Sequence, residues 1–357
     1  MTPENKNILL QLLRQHKELG ISYQIDYDKF YLYSIITHST AIEGSTVSEV
    51  EAQLLFDEGI TAKGKPMMEQ LMNLDLKDAY EYGRAWIKRH EDITVDTLVT
   101  LASKVMARTG AEYNSFGGSF DASKGELRRL NVTAGAGRRS YMNWMKVPQR
   151  LEAFCQELNV RRRELDPTDA VAIYELSFWA HYELVTIHPW ADGNGRTCRL
   201  LMNLLQMEYG VLPTKVSKED KSEYIQALID TREYEDIDIF LNYMAELHCA
   251  HLRNDIDQYI RSVEVVDKTN FVKEMVDKWS IKPSLAEKLV DILIFVADKA
   301  EVRTEDIVKA FGFTETTAKR YLRRLVEYGC LEAHGGNKNR SYSKNVGHVS
   351  QIEEDKQ

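Results

Sequence analysis

Residues 188–199 read HPWADGNGRTCR, and this stretch lies between two segments with helical periodicity. From Asp166 onwards, apolar residues recur every three or four positions, which predicts a helix that has Asp166 as its N-cap and Pro167 in its first turn. Pro189 ends that pattern. A second, leucine-rich segment follows and ends at Gly210, a usual helix terminator. The stretch is therefore predicted to connect two buried helices, which is a rigid place for functional side chains.

The residue types in this stretch indicate an anion-binding site. A helix that begins near Gly195 has unpaired N–H groups in its first turn, and its dipole favours negative charge there. Arg196 and Arg199 are three residues apart, so we expect both guanidinium groups on the same face, where they suit a polyphosphate. Asp192 offers an oxygen ligand of the kind that Mg²⁺ takes together with substrate phosphates.

His188 adds a candidate general base to this anion site. Histidine titrates near neutral pH, so His188 can accept a proton from an attacking hydroxyl. A phosphate held beside a base is the arrangement of a phosphoryl or nucleotidyl transfer site. A lone histidine before a proline usually caps a helix, and paired arginines are usually solvated. The occurrence of all these residues in one short stretch favours the functional interpretation.

Composition limits the class of protein. A length of 357 residues predicts two or three domains of roughly 100–200 residues each. The net charge of −9 argues against nonspecific binding of nucleic acid or of an anionic membrane by the whole chain. The four cysteines are far apart and form no C-x-x-C motif, as is typical of a reduced compartment. The N-terminus shows no secretory pattern, and the most apolar run, 289–297, is too short to cross a bilayer. We therefore expect a cytoplasmic protein with no membrane partner.

Two departures from helical periodicity mark further elements. Between residues 125 and 147, a β-like run from Leu127 to Thr133, a Gly-Ala-Gly turn at 135–137 and a second short run predict an exposed hairpin. A surface loop without a function is the alternative. From residue 284, three helical segments and two short strands follow, which is the order of a winged helix.

The stretch 188–199 resembles the signature of Fic-domain proteins, His-Pro-Phe-x-[Asp/Glu]-Gly-Asn-Gly-Arg-x-x-Arg. Trp190 replaces the usual Phe and is also aromatic. The similarity covers about residues 25–245. Most proteins of this family transfer AMP from ATP to a hydroxyl side chain (Ser, Thr or Tyr) of a target protein and release pyrophosphate. The resemblance implies a mostly α, Fic-type helical bundle with ATP as substrate and Mg²⁺ as cofactor.

The resemblance also implies a role for each residue of the motif. The roles are general base for His188, magnesium ligand for Asp192, contacts to the α-phosphate region for Gly193, Asn194 and Gly195, and contacts to the β- and γ-phosphates for Arg196 and Arg199. Tyr224 lies where relatives often carry an aromatic residue near the adenine, although packing between helices explains it equally well. The hairpin at 125–147 corresponds to the flap that docks a segment of the target protein by strand addition.

A second stretch, STAIEG at 39–44, matches the element that forms an inhibitory helix in many Fic proteins, and we place that helix at about 26–44. Gly44 is predicted to end the helix, and SEVE at 48–51 is predicted to open the next one with a capping box. Glu43 then lies in a last turn, where its charge opposes the helix dipole and favours a cationic partner elsewhere.

By resemblance, the partner of Glu43 is Arg199, and Ser39 and Gly44 belong to the same regulatory element. Capture of Arg199 would deny the γ-phosphate of ATP its site. We expect this ion pair to be shielded from water by the surrounding helices. An incidental surface glutamate is the alternative.

These assignments divide the chain into five sections, each with its own expected role. The sections are an N-terminal helical region with the inhibitory helix (1–110), the Fic core with its flap (111–250), a helical linker (251–283), a winged-helix α+β domain (284–346) and a flexible tail (347–357). Residues 301–344 hold nine Lys/Arg against six Asp/Glu. Thr316, Arg320, Arg323 and Lys319 are expected on the outer face of the third helix, and Lys338 and Arg340 on the hairpin. A DNA partner, a protein partner and a merely solvated face all fit this charge.

Two functions from different classes remain. The first is an autoinhibited protein adenylyltransferase. The second is a protein that binds DNA through the winged helix, either as a transcriptional regulator that senses a nucleotide or as a toxin-like module. The intact His188 favours the enzyme, because a sensor needs no general base. Removal of AMP from a modified target by the same residues stays open, as does a homodimer.

Overall fold

The computed structural model describes residues 1–24, 26–134, 139–297, 299, 301–336 and 340–345. The chain forms two compact units, residues 1–257 (the first unit) and 258–357 (the second unit). Both are mostly helical and carry small antiparallel sheets, as the sequence predicts. Every helix among the described residues is too short or too polar to span a lipid bilayer.

Helices dominate the first unit. They are α1 (Pro3–Glu18), α2 (Tyr27–Ile42), α3 (Glu49–Glu58), α4 (Met67–Ile87), α5 (Val95–Val105), α6 (Val147–Glu164), α7 (Ala170–Ile187), α8 (Asn194–Glu208) and α9 (Lys221–Tyr234). A longer helix, α10 (Ile237–Trp279), begins in this unit and ends in the second. Most of the residues 251–283, predicted as a helical linker, lie in α10.

The two central helices, α7 and α8, flank the stretch 188–193, as predicted. The leucines of α8 are fully buried, and Gly210 follows the helix with a φ of 69°. The predicted start of α7 is wrong. Its N-cap is Asp169, whose carboxylate accepts the N–H of Ala172. Asp166 instead accepts the N–H of Thr168 and forms a turn that delays the helix by three residues.

The end of α2 and the start of α3 agree with the prediction. Glu43 is the C-cap of α2, and Gly44 has a φ of 108°, a conformation that favours glycine. Ser48 and Glu51 form the expected capping box, in which the Glu51 carboxylate accepts the Ser48 N–H at 2.8 Å. Buried Asn73 of α4 fixes this corner, because its side chain bonds both Thr40 and Ser45.

Two hairpins lie between α5 and α6. The pair β1 (Glu112–Ser115) and β2 (Gly118–Asp121) was not predicted. The pair β3 (Thr133–Ala134) and β4 (Arg139–Ser140) forms the hairpin expected within 125–147. The predicted strand from Leu127 is wrong for most of its length, because the chain before Thr133 is irregular and turns inward at Arg128. The Gly-Ala-Gly turn at 135–137 lies outside the described residues.

The second unit contains the predicted helices and hairpin. Its elements are α11 (Pro283–Ala297), β5 (Val302–Arg303), α12 (Thr304–Phe311), α13 (Glu315–Glu327), β6 (Leu331–His334) and β7 (Ser341–Lys344). Its sheet has the order β5-β7-β6, and β5 was not predicted. Ala318, Leu322 and Leu325 of α13 are fully buried, as their spacing indicates. Lys338 and the tail 347–357 lie outside the described residues.

Candidate active site

His188 ends α7 in a left-handed conformation with a φ of 51°, and its N–H donates to the Leu184 carbonyl at 3.1 Å. The half-buried imidazole stacks on the ring of Tyr141, with 3.8 Å between the ring centroids and 17° between the planes. Burial, aided by the positive charge of Arg128, lowers the pKa of His188 to about 4. The imidazole is therefore neutral at physiological pH and able to accept a proton.

The loop after His188 is fixed by two side chains. Trp190 is 1% exposed, and its indole N–H donates to the Gly125 carbonyl at 2.9 Å. It thus anchors the loop in the core. The amide of Asn194 accepts from the Trp190 N–H at 3.1 Å and donates to the Trp190 carbonyl at 2.8 Å. The buried Asn194 side chain therefore braces the loop, and its contact with an α-phosphate stays a prediction.

Two glycines give the start of α8 its shape. Gly193 has a φ of 81°, and a Cβ there would lie 2.7 Å from the sulfur of Met106. A Cβ on Gly195 would lie 2.5 Å from the Oε1 atom of Glu43. The Glu43 carboxylate therefore occupies space over the first turn of α8 that is open only because residue 195 has no side chain. This is the position that a helix N-terminus offers to an anion.

Arg199 makes the predicted ion pair with Glu43. Its Nη2 donates to Glu43 Oε1 at 2.6 Å and to the Ser39 carbonyl at 2.9 Å, and its Nε donates to Ser39 Oγ at 2.8 Å. Only one partner is shielded from water as predicted, because the Arg199 side chain is 4% exposed and that of Glu43 34%. Burial opposes ionisation of Glu43, but the charge and hydrogen bond of Arg199 outweigh it and hold the pKa of Glu43 below its ordinary value.

Arg196 does not share the direction of Arg199, contrary to what the three-residue spacing predicts. Its guanidinium lies 2% exposed under the loop, with Nη2 at 3.1 Å from the Met106 sulfur and 3.5 Å from Asp192 Oδ1. Within the described residues, its buried Nε has no hydrogen-bond partner. The three-residue spacing does not predict these directions, because Arg196 contacts residues at the end of α5, whereas Arg199 contacts residues at the end of α2.

Asp192 stands at the open side of the site. Its side chain is 59% exposed, and Oδ1 accepts the Gly193 N–H at 2.6 Å. Among the described residues, no group of three or more His, Cys, Asp or Glu side chains could hold a metal ion. A single exposed carboxylate beside an anion position fits Mg²⁺, which commonly takes one or two carboxylates and completes its shell with phosphates and water.

Residues 92–206, which include the whole stretch 188–199, match the family model described as Fic/DOC family. This part of the chain is therefore similar to the Fic/DOC family. A protein adenylyltransferase fic-1 from Caenorhabditis elegans is 28% identical to this chain over 240 residues, which are 66% of this chain and 42% of that protein. A protein adenylyltransferase Fic from Nematostella vectensis is 28% identical over 233 residues, which are 64% of this chain and 49% of that protein.

This chain thus spans less than half the length of either curated relative. Among solved structures, a Fic domain-containing signalling protein from Bacteroides thetaiotaomicron VPI-5482 superposes with a TM-score of 0.58 at 22% identity. The match covers 71% of this chain and 97% of that one. At this identity the likeness concerns the fold.

One residue of the segment 92–206 that the sequence did not point to is Arg128. Its side chain is 1% exposed and donates to three backbone carbonyls, those of His188 at 2.7 Å, Leu130 at 2.8 Å and Met142 at 2.7 Å. Arg128 therefore ties His188, the candidate general base, to both sides of the β3–β4 hairpin. An arginine in an irregular segment is normally solvent-exposed, so nothing in the sequence signalled this role.

Tyr224 lies deeper than the resemblance implies. It is 3% exposed, and its hydroxyl is 2.9 Å from Nε2 of the fully buried His181. Its position on α9 favours the alternative interpretation, packing between helices. The contact with an adenine stays a prediction.

Proposed function

We propose that this protein is a protein adenylyltransferase that transfers AMP from ATP to a hydroxyl side chain of a target protein. The observation that carries the proposal is the Glu43 carboxylate over the first turn of α8, in the position of an anion, next to the neutral imidazole of His188. The names of the curated relatives support the same reaction. The target hydroxyl oxygen bonds to the α-phosphorus, and the bond from that phosphorus to the bridging oxygen breaks. His188 takes the hydroxyl proton, and pyrophosphate leaves.

The phosphates of ATP would bind along the start of α8. The backbone at Gly193, Asn194 and Gly195 would hold the α-phosphate region, because the first N–H groups of a helix lack partners within the helix and the helix dipole favours an anion there. Arg199 would bind the terminal phosphates once Glu43 withdraws, and Arg196 would contribute charge from beneath the loop. A forked guanidinium suits such oxygens better than a lysine does.

Asp192 would hold Mg²⁺. The ion, when bound, supplies positive charge that neutralises the phosphates. Asp192→Asn keeps the shape of the side chain and removes its charge, so transfer by this variant should require more Mg²⁺ than the parent. The half-saturating Mg²⁺ concentration of AMP transfer measures this effect, and an unchanged value contradicts the role.

The resting protein would be autoinhibited. Glu43 takes the hydrogen bonds of Arg199 that a γ-phosphate needs, so ATP binds with its phosphates displaced and its α-phosphorus misaligned. A displacement of about an ångström can cost roughly 10²-fold in rate. Ser39 assists by holding the other side of the guanidinium, and Gly44 allows the chain to turn away directly after Glu43.

The β3–β4 hairpin would dock the target. Thr133 and Ser140, which pair across it, are exposed, so an extended target segment can add along a strand edge. Arg128 connects the hairpin to the site, because it donates hydrogen bonds to the Met142 carbonyl at the base of the hairpin and to the His188 carbonyl.

The test is incorporation of label from α-labelled ATP in a cell lysate, with wild type and the Glu43→Gly variant at equal concentration. We expect labelled bands that the variant intensifies and that vanish when His188→Ala is added. No transfer by either protein in any lysate contradicts the proposal. A second incubation, with target already carrying labelled AMP and no ATP, separates transfer from removal of AMP.

A second candidate function is DNA binding by the second unit, which we propose to be a winged helix. A cleft of about 810 Å³ lies between α13 and the sheet. The cations that line it are Arg303, Lys319, Arg320, Arg323 and Arg340, and the anions are Glu305 and Glu315. This excess of positive charge in an acidic protein favours a phosphate backbone as partner.

Fluorescence anisotropy of a labelled DNA duplex tests this candidate. Binding by the full chain should weaken with salt, and Arg320→Ala with Arg323→Ala should lower the salt dependence by about one contact each. If the duplex does not bind, or binds the double variant with the same salt dependence, the cleft is a solvated face or a protein-docking surface.

A further inference from the structure

Two side chains from two other elements stack over the candidate general base, His188. Tyr141, directly after β4, lies parallel to the imidazole of His188, with 3.8 Å between the ring centroids. Arg232, in the last turn of α9, places its guanidinium carbon 5.0 Å from the centroid of the Tyr141 ring. Tyr141 and Arg232 are both half-buried. The stack of guanidinium, phenol and imidazole thus runs from α9 across the hairpin to the end of α7.

Stacking limits the orientation of His188. One face of the imidazole is covered by Tyr141, so the imidazole cannot rotate out of this plane without losing the contact. The guanidinium of Arg232 lies over the tyrosine ring and restrains that ring in turn. The hydrogen bonds of the Trp190 and Asn194 side chains go to backbone groups and therefore fix the loop and not the ring of His188.

The charges that face His188 come from several elements. Arg128, which precedes β3, donates a hydrogen bond to the His188 carbonyl at 2.7 Å. The Arg232 guanidinium lies over the Tyr141 ring, which in turn stacks on the imidazole. Glu43 at the end of α2 and the carbonyl of Val185 on α7 favour the protonated ring, whereas burial, Arg128 and Arg232 oppose it. The two arginines and burial outweigh the carboxylate and the carbonyl.

We propose that Tyr141 and Arg232 are positioning residues for His188, in which the phenol ring fixes the plane of the imidazole and the guanidinium covers the phenol and adds positive charge near the imidazole. The inference rests on the proposed function only for the role of His188 as general base. A base that must accept a proton at one angle gains from both effects, since misorientation costs rate even when every reacting group is present.

An NMR titration tests the stack without any activity. The Cε1–H resonance of His188, identified by its loss in His188→Ala, is followed with pH in the wild-type chain and in two variants. Arg232→Gln removes the charge and keeps the length, so the midpoint should rise by on the order of 0.5 pH unit. Tyr141→Leu opens the ring to water and should raise the midpoint further, whereas Tyr141→Phe should leave it unchanged.

The matched control is Arg161→Gln. Arg161 also lies over an aromatic ring, that of Trp179, at 4.1 Å, but on α6 and away from the loop 189–193. This variant should not move the His188 midpoint. If the midpoint is the same in wild type, Arg232→Gln and Tyr141→Leu, the proposal is overturned.

Kinetics in the Glu43→Gly background give the second readout. Tyr141→Leu should lower kcat for AMP transfer by about tenfold without a matching rise in KM for ATP, and Tyr141→Phe should restore it. An equal loss in both variants, or a change confined to KM, contradicts a positioning role. If the Glu43→Gly parent transfers no AMP, the proposed function fails, while the titration still decides the stack.

Discussion

Two pairs of arginines in this chain have the same spacing and opposite surroundings. Arg196 and Arg199 stand three apart at the start of α8, and Arg320 and Arg323 stand three apart on α13. The first two are 2% and 3% exposed and are held by partners from other elements. Arg323 is 73% exposed and pairs with Glu327 of its own helix at 3.3 Å.

The difference shows what spacing leaves undecided. Residues three apart are neighbours on a helix, but burial determines whether their charges are fixed or solvated. Fixed cations in a water-poor site stabilise developing charge without rearrangement. Solvated cations, such as those of the cleft in the second unit, act through long-range attraction that salt weakens. In the proposed functions, the same residue pattern would therefore support catalysis in the first unit and weak, salt-dependent binding in the second.

The largest effect on AMP transfer is expected for His188, the proposed general base beside Arg196 and Arg199. His188→Ala in the Glu43→Gly background should reduce AMP transfer by about 10²–10⁴-fold, the usual cost of losing a general base. The matched control is His90→Ala. His90 is also a histidine with positive φ, 53°, but it is exposed and pairs with Glu208. Label incorporation measures both, and similar rates for the parent and His188→Ala end the assignment.

Glu43→Gly should have the next largest effect. It frees Arg199, so transfer should rise on the order of 10²-fold, as expected when misaligned phosphates recover their position. Glu58 provides a control within the chain, because it also ends a helix, α3, just before a glycine in the left-handed conformation. Glu58→Gly should not activate. Equal activity of wild type and Glu43→Gly on a target that the enzyme modifies refutes an inhibitory helix.

The smallest of the expected effects is on stability, and it should differ between a variant of the first arginine pair and a variant of the second. Arg199→Ala leaves Ser39 and Glu43 without their donor, and we expect a loss of roughly 1–3 kcal/mol in the free energy of unfolding. Arg323→Ala removes an exposed side chain and should leave Tm unchanged. Thermal unfolding of the full chain measures both. An equal decrease in Tm for the two variants would show that burial does not distinguish them.

The sequence predicted those features of the site that depend on local pattern. The helix ends at Gly44 and Gly210 and the capping box of Ser48 follow from residue types at fixed offsets. The contact between Glu43 and Arg199, 156 residues apart, came from the resemblance and from the adverse position of a glutamate in a last helical turn.

Tertiary packing decided the rest. Asp166 and Asp169 both suit an N-cap, and only the turn at Thr168 selects the second. Arg128 turns inward because the hairpin and the His188 loop present three carbonyls to it. The ring of Tyr141 reaches His188 across 47 residues of sequence, and no periodicity links the two. Long-range contacts of this kind leave no local signature.

In the proposed enzyme, the absent side chain of Gly195 would make regulation a matter of competition. The Glu43 carboxylate occupies the space above this glycine, so Glu43 and a phosphate of the nucleotide would compete for that space. Glu43 is tethered, and a short tether gives an effective concentration of about millimolar or more. Dilution of the protein does not change that value. ATP would thus compete against a partner that stays tethered beside the site, and a change in the end of α2 would alter the balance.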